Sequence, residues 1–361
     1  GRHPERRTVP DAGDGPRVRR GRADEGALAV LCAAPEPLLA GVAEAVAGYR
    51  WERARETERA TASARRTLAA VEALPVPWLR VLALARLGEL HLQGERGAEA
   101  LPLLRAAMAE LDRLGDWSDM LGLRWGMVIG SLQAGDPDGA EHWLELAVRH
   151  RPADAVDLLT PELGARAEIA LARGEVRTGL ALWRRSVAMV ARAAEPPAEL
   201  LARGAEPPAE PLPDPSWALE LVAACVAAHA RHGEPDRVAA LAAGLPERLA
   251  ELLDRPAALV EGPLAGALLL ALGLAALDRG ARDGDPERTR AGVRLVVLAE
   301  RFRCLRNFRP TMGSAEARAE AERADPGECR RAIAEYGAAD RTALAAEARR
   351  LAGVRPCGPD A

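Results

Sequence analysis

The chain has 361 residues, 48% of them hydrophobic but only 3% aromatic, with a formal net charge of −4 and a pI near 6.0. Alanine and leucine supply much of that apolar mass, which favours closely approaching helices over a sheet built from β-branched and aromatic side chains. The acidic balance excludes a basic nucleic-acid footprint spread over the whole surface, and the basic residues are all arginine, which excludes a P-loop or Schiff-base lysine.

Residues 1–26 are rich in Arg, Gly and Pro and lack apolar periodicity, so they read as a disordered tail without the apolar core of a signal peptide. A helical pair over about 36–74 opens an array. A unit then recurs as LARLGELHLQGERGAEALPLLRAAM (84–108), LRWGMVIGSLQAGDPDGAEHWLELAVRHRP (123–152), LGARAEIALARGEVRTGLALWRRSVAMV (163–190) and LVAACVAAHARHGEPDRVAALAAGL (221–245). In each, an apolar helix closes at a glycine and a second, amphipathic helix begins. Gly94, Gly135, Gly174 and Gly233 fall where a left-handed closing residue is needed, and Asp136–Pro137 and Glu234–Pro235 mark the next helix start. In the second helix, small or modest residues recur at spacings of four and three: Ala100/Leu104/Ala107, Ala140/Leu144/Ala147 and Gly179/Trp183/Ser186. A fifth unit spans roughly 261–309, turning at Gly284, Asp285 and Pro286.

Between the third and fourth units, residues 194–215 hold seven prolines and repeat AEPPAE, which reads as a linker or surface loop. The apolar run Pro263–Leu277 is too short for a bilayer and reads as a buried helix. Leu295 and Leu298 form one stripe with Phe302 and Leu305 of AERFRCLRNFRPTM (299–312), so the aromatics serve packing rather than nucleic acid. Asn307 and Pro310 mark the helix end there, and Ser314 is expected to cap the next helix.

Chemistry-bearing patterns are sparse. Five scattered cysteines (Cys32, Cys225, Cys304, Cys329, Cys357) without CxxC spacing suggest reduced thiols in a cytosolic protein. His229 and His232 have metal-compatible i, i+3 spacing but lack a third ligand and an HExxH context; His142 and His150, flanking Trp143, read the same way. No GxSxG, Walker A or dinucleotide-binding pattern occurs. On the first helices of the units, Arg86 with Glu89, Arg124 with Trp125, and Arg166 with Glu168 could line a concave, partner-binding groove. The seven tryptophans, mostly one per helix, are expected to pack between repeats.

The turn glycines at 94, 135 and 174 lie about forty residues apart, the period of a stacked helix-turn-helix solenoid. With Gly at the turn, Ala-x-x-x-Leu-x-x-Ala in the second helix and Pro152 closing one repeat, the unit resembles a degenerate tetratricopeptide (TPR) repeat. Longer strings resemble the C-terminal TPR region of actinobacterial SARP/BTAD-type transcriptional regulators: AEAVAGYRWERARET (43–57), LPVPWLRVLALARLGELHLQ (74–93), DWSDMLGLRWGMVIGSLQ (116–133), EHWLELAVRHRPADAV (141–156), ELGARAEIALARGEV (162–176), GALLLALGLAALDRG (266–280) and LAERFRCLRNFRPTM (298–312). The resemblance covers about residues 36–350.

Such regulators join a winged-helix DNA-binding domain, a transcriptional activation domain and often an ATPase to this helical array, and control antibiotic-biosynthesis and related genes. The chain has no Walker motif and no strand-rich segment. The resemblance therefore implies a non-catalytic regulatory module without cofactor or metal. Its contacts would be a protein partner or other domains of the same regulator, with no direct nucleic-acid contact and no membrane. The expected architecture is an all-α, right-handed superhelical TPR-like solenoid in a cytoplasmic protein. Its repeats cover 27–193 and 216–312, and a short helical cap and tail cover 313–361. The alternative is a free-standing TPR adaptor unrelated to transcription.

Overall fold

The computed structural model describes residues 26–54, 56–72, 74–114, 120–150, 159–194, 216–254, 261–302, 308 and 311–353. Helix makes up 87% of them, and no strand occurs among the described residues. The expected tail (but for Gly26) and the proline-rich loop (but for Ala194) lie outside that set, as do Cys304, Cys357, Leu305, Asn307 and Pro310.

A short helix over 26–32, α1, leads into α2 (Pro37–Arg53), α3 (Thr57–Val71) and α4 (Pro77–Gln93). There follow α5 (Gly97–Leu114), α6 (Met120–Gln133), α7 (Pro137–Arg149), α8 (Leu159–Ala172) and α9 (Val176–Ala194). The second half comprises α10 (Ser216–Arg231), a 3₁₀ turn (Pro235–Val238), α11 (Ala239–Asp254), α12 (Glu261–Asp283) and α13 (Pro286–Phe302). Three further helices end it: α14 (Ser314–Ala324), α15 (Pro326–Ala338) and α16 (Arg341–Leu351). The chain divides into two compact units, residues 1–87 and 88–361, the division falling within α4 rather than at the proline-rich segment.

In unit 1, α2 and α3 form a hairpin tied by a buried polar contact. Ser63 donates to the Glu44 backbone oxygen at 2.8 Å, and Arg66 Nε meets Glu44 Oε1 at 2.6 Å. Burial pushes the Glu44 carboxyl up, but the hydrogen bonds from Arg66 and Ser63 outweigh it and hold the group below its ordinary value.

In unit 2 the paired helices follow the four-and-three spacing read from the sequence. Ala100, Leu104 and Ala107 on α5 are buried, as are Ala140, Leu144 and Ala147 on α7 and Gly179, Trp183 and Ser186 on α9. Gly292, Val296 and Ala299 on α13 extend the register to the fifth hairpin. There the backbones nearly touch: a Cβ on Gly292 would come within 2.8 Å of the Leu277 backbone nitrogen. The fourth pair keeps the spacing with larger side chains: α11, which carries Pro246 inside it, buries Leu245, Leu249 and Leu252 along with Ala242. No side-chain cap hydrogen bond forms at Glu234, and a 3₁₀ turn precedes the helix.

The helix α12 satisfies the length and composition of a membrane span, but 72% of its apolar window is buried. Leu264, Ala267, Leu268, Leu269 and Leu270 are each at most 2% exposed, so it is a core helix, longer than the sequence run suggested.

The turns show one shift of register. Gly135, Gly174, Gly233 and Gly284 take left-handed backbone, but in the first unit that conformation falls on Glu95 (φ 57°), not Gly94. Arg96 N–H bonds to the His91 carbonyl at 2.9 Å, the same closure that Asp136 makes to Ser131, so the unit's turn lies one residue later than its glycine implies. A left-handed non-glycine residue costs about 1 kcal/mol. The Glu95 carboxylate in turn accepts the Ser314 N–H at 2.7 Å. Ser314 is therefore the first residue of α14 rather than its cap, which is Gly313 without a capping side chain.

Besides apolar packing, one arginine of α13 ties α15 and α16 to it. Arg294 donates to Glu328 (3.0 Å), Glu335 (2.9 Å) and Glu347 (2.8 Å), and its guanidinium lies 5.0 Å from the Tyr336 ring centre. Tyr336 donates its hydroxyl to Glu347 at 3.0 Å. Arg350 first, with Arg294 and Tyr336, holds the Glu347 carboxyl down at about 2. Arg294→Ala leaves three carboxylates without their shared donor and, at this partly exposed position, is expected to cost about 1–3 kcal/mol. A urea-unfolding midpoint equal to that of the unaltered chain would show that this cluster does not hold the C-terminal helices.

Candidate functional site

A buried polar site lies where Phe308 and Thr311 meet α8 and α9. Glu168, on the buried face of α8, has no exposed surface. Its Oε1 accepts Trp183 Nε1–H from α9 at 3.1 Å, and its Oε2 accepts the Thr311 backbone N–H at 2.9 Å. The Phe308 ring meets Trp183 edge to face, with centroids 5.0 Å apart at 85°. That contact needs a glycine one turn before Glu168: a Cβ on Gly164 would sit 2.9 Å from Phe308 Cε1 and 3.2 Å from Trp183 Cη2. Thr311 and Met312 are buried, and Met312 N–H closes a turn onto the Phe308 carbonyl at 2.6 Å. At the end of α10, Arg231 donates to the Gly313 carbonyl at 3.3 Å and pairs with Glu320 of α14 at 3.0 Å.

Burial pushes the Glu168 carboxyl up to about 7, against the pull of hydrogen bonds from Thr311 and Trp183 and of the Arg231 charge.

Each residue expected to line a groove has its own surroundings. Arg86 is paired with Glu52 and lies 4.7 Å from the Tyr49 ring centre. It rims a small apolar cleft of unit 1 that also takes in Gly48, Ala60, Ala64 and Leu82. Glu89 is exposed on α4. Arg124 is buried, and Trp125 packs half-buried against the Val128, Leu132, Leu144 and Ile169 cluster. Arg166 reaches back to Glu162, one turn earlier, at 3.0 Å, and does not meet Glu168. Glu168 itself lies beneath the chain's own segment rather than on an open surface, because that segment supplies the donors its carboxylate requires.

Sequence reading missed Gly164, Trp183, Arg231, Phe308 and Thr311 as parts of one site. The available signal was Glu168 itself, a lone carboxylate in the apolar run AEIALA, four residues after Gly164. The expectation that tryptophans pack holds for Trp183, fully buried, and fails for Trp78, which is 58% exposed.

His229 is buried with both ring nitrogens engaged. Nδ1–H donates to the Cys225 carbonyl at 2.7 Å, and Arg184 donates to Nε2 at 2.8 Å. Burial lowers its pKa and raises that of the Cys225 thiol to about 12, so both act as neutral core groups. His232 is exposed. No group of three or more His, Cys, Asp or Glu side chains able to hold a metal occurs among the described residues. Compared with known proteins, the chain matches no family model and no curated protein.

Because Glu168 titrates near 7 when folded and near 4.5 when unfolded, its contribution to stability is full below pH 4.5, declines as pH rises to about 7 and is flat above. The decline approaches roughly 3 kcal/mol. Urea unfolding at pH 5 and pH 7.5 should show a smaller loss in Glu168→Gln than in the unaltered chain; parallel losses would place Glu168 outside that titration. Gly164→Ala forces Phe308 or Trp183 aside and is expected to cost about 1–3 kcal/mol. Near-UV circular dichroism of the aromatics should change with it, and an unchanged spectrum would contradict the close contact.

Proposed function

We propose that this protein is a non-catalytic interaction module whose hairpins are degenerate TPR-like repeats of a solenoid. It regulates transcription in the cytoplasm by contacting a protein partner or other domains of a SARP/BTAD-type regulator. The observation that carries the interaction reading is the site on α8–α10, where helices hold a Thr311 backbone N–H and the Phe308 ring from elsewhere in the chain. Helical arrays use such faces to grip peptide segments. The transcriptional part rests on the long sequence strings that resemble the C-terminal region of these regulators. The even burial register of α5, α7, α9 and α13 supports a repeated unit.

Capture with the purified chain as bait, read by mass spectrometry against a bait carrying Trp183→Ala, tests the reading. Prey carrying a winged-helix domain and a Walker motif, depleted with the variant, is the expected result. Prey confined to proteins unrelated to transcription would favour the free-standing adaptor, and identical prey with both baits would remove this face from the interaction.

A further inference from the structure

Large hydrophobic side chains that stand exposed are concentrated in unit 1: among the described residues, all but Leu114 and Ile333 belong to it. The concentration is sharpest on α2. From Leu38 to Tyr49 every exposed residue of that helix is apolar: Leu38, Leu39, Val42, Val46 and Tyr49. The one charged residue in that stretch, Glu44, is turned inward onto Ser63 and Arg66. A helix with water on its outer side ordinarily carries its charges there and its apolar stripe inside. On α2 the arrangement is reversed.

The stripe has the spacing of a helix-pair seam. Leu39, Val42, Val46 and Tyr49 follow one another at intervals of three, four and three, along which two helices interdigitate. Each exposes between 41% and 49% of its surface. Taken from either end, the seam runs large, small, small, large. Two copies laid antiparallel about a twofold axis set Val42 against the partner's Val46 and Leu39 against the partner's Tyr49, so the stripe complements itself.

At the Tyr49 end the surface continues into an apolar cleft, floored by Ala60 and Ala64 of α3 and walled by Gly48 and Tyr49 of α2 and Leu82 of α4. The Arg86 guanidinium, 4.7 Å from the Tyr49 ring centre and paired with Glu52, braces that ring in advance of binding. In the antiparallel pairing, the partner's Leu39 comes to the mouth of this cleft. One turn before Leu82, Trp78 extends the apolar surface along α4. The five side chains of α2 with Leu82 and Trp78 leave on the order of 600 Å² of apolar area, at the top of the range for one patch on a monomer and near the ~800 Å² each partner buries in a stable complex.

We infer that α2, with the cleft between α2 and α4, is a homodimer interface, and that its occupant is the antiparallel α2 of a second copy of this chain. The inference goes beyond the interaction-module reading and does not depend on it, because mass in solution and bait capture are separate readouts.

Sedimentation velocity of the full chain at micromolar concentration tests it. The expected species has twice the 38.3 kDa mass of one chain. Val46→Glu places a charge under the partner's apolar surface and should weaken dimerisation roughly tenfold or more, with an unchanged far-UV circular dichroism spectrum. Ile333→Glu, at an exposed position outside unit 1, should leave the dimer as it is. Mixing Val42→Glu chains with Val46→Arg chains should restore pairing that each alone has lost, because the antiparallel register brings those two positions together. A monomer overturns the inference, as does a dimer that Val46→Glu leaves unaltered, one that Ile333→Glu weakens equally, or a mixture that restores nothing. Should Val46→Glu not fold, Val42→Ala combined with Val46→Ala trims the same seam and decides in the same way. A monomeric chain whose captured prey is lost with Val46→Glu assigns the face to another protein and overturns the homodimer.

Discussion

A carboxylate with no exposed surface must find donors inside the fold, and Glu168 finds them 15 and 143 residues away along the chain. Around that requirement the surrounding residues fall into order. Gly164 leaves space for Phe308, Trp183 turns its indole N–H inward, and Thr311 brings a backbone amide that no side-chain substitution short of proline removes. Each contact is modest alone; a net hydrogen bond contributes about 1 kcal/mol. Losing one, however, leaves a buried oxygen unsatisfied, which costs more than the bond contributed. The site is therefore cooperative, and its cooperation joins α8 and α9 to a distant segment.

The second attachment differs in kind. Arg294 gathers three carboxylates and an aromatic ring at a partly exposed position, so solvent shares in the balance and the pair energies are smaller than in a dry core. Glu95 supplies a third link, accepting strained backbone at φ 57° while its carboxylate meets the start of α14. Together these links close unit 2 on itself, from the turn after α4 to the helices beyond α13. A sequence-ordered stack of hairpins acquires contacts between its early and late members.

Much of this was legible beforehand. The four-and-three register in α5, α7 and α9 followed from small residues at helical spacing, because close helix packing admits few side chains there. The turns at Gly135, Gly174, Gly233 and Gly284 followed from the need for left-handed backbone. Where reading by residue type failed, a longer-range contact prevailed. Glu95 displaced Gly94 as the left-handed residue, and Gly313 displaced Ser314 as the cap, and the two shifts meet in one hydrogen bond. Arg166 and Glu168, two apart on α8, point in different directions, so Arg166 meets Glu162 one turn away while Glu168 is buried.

By itself the sequence determined the all-helical character and the hairpin rhythm, since both follow from local spacing and backbone preference. Only the tertiary structure decided that Glu168 faces Thr311 and Trp183, and that Phe308 fills the space over Gly164. Two of those contacts join residues more than a hundred positions apart, and no periodicity along a chain records which distant groups will share a buried hydrogen bond.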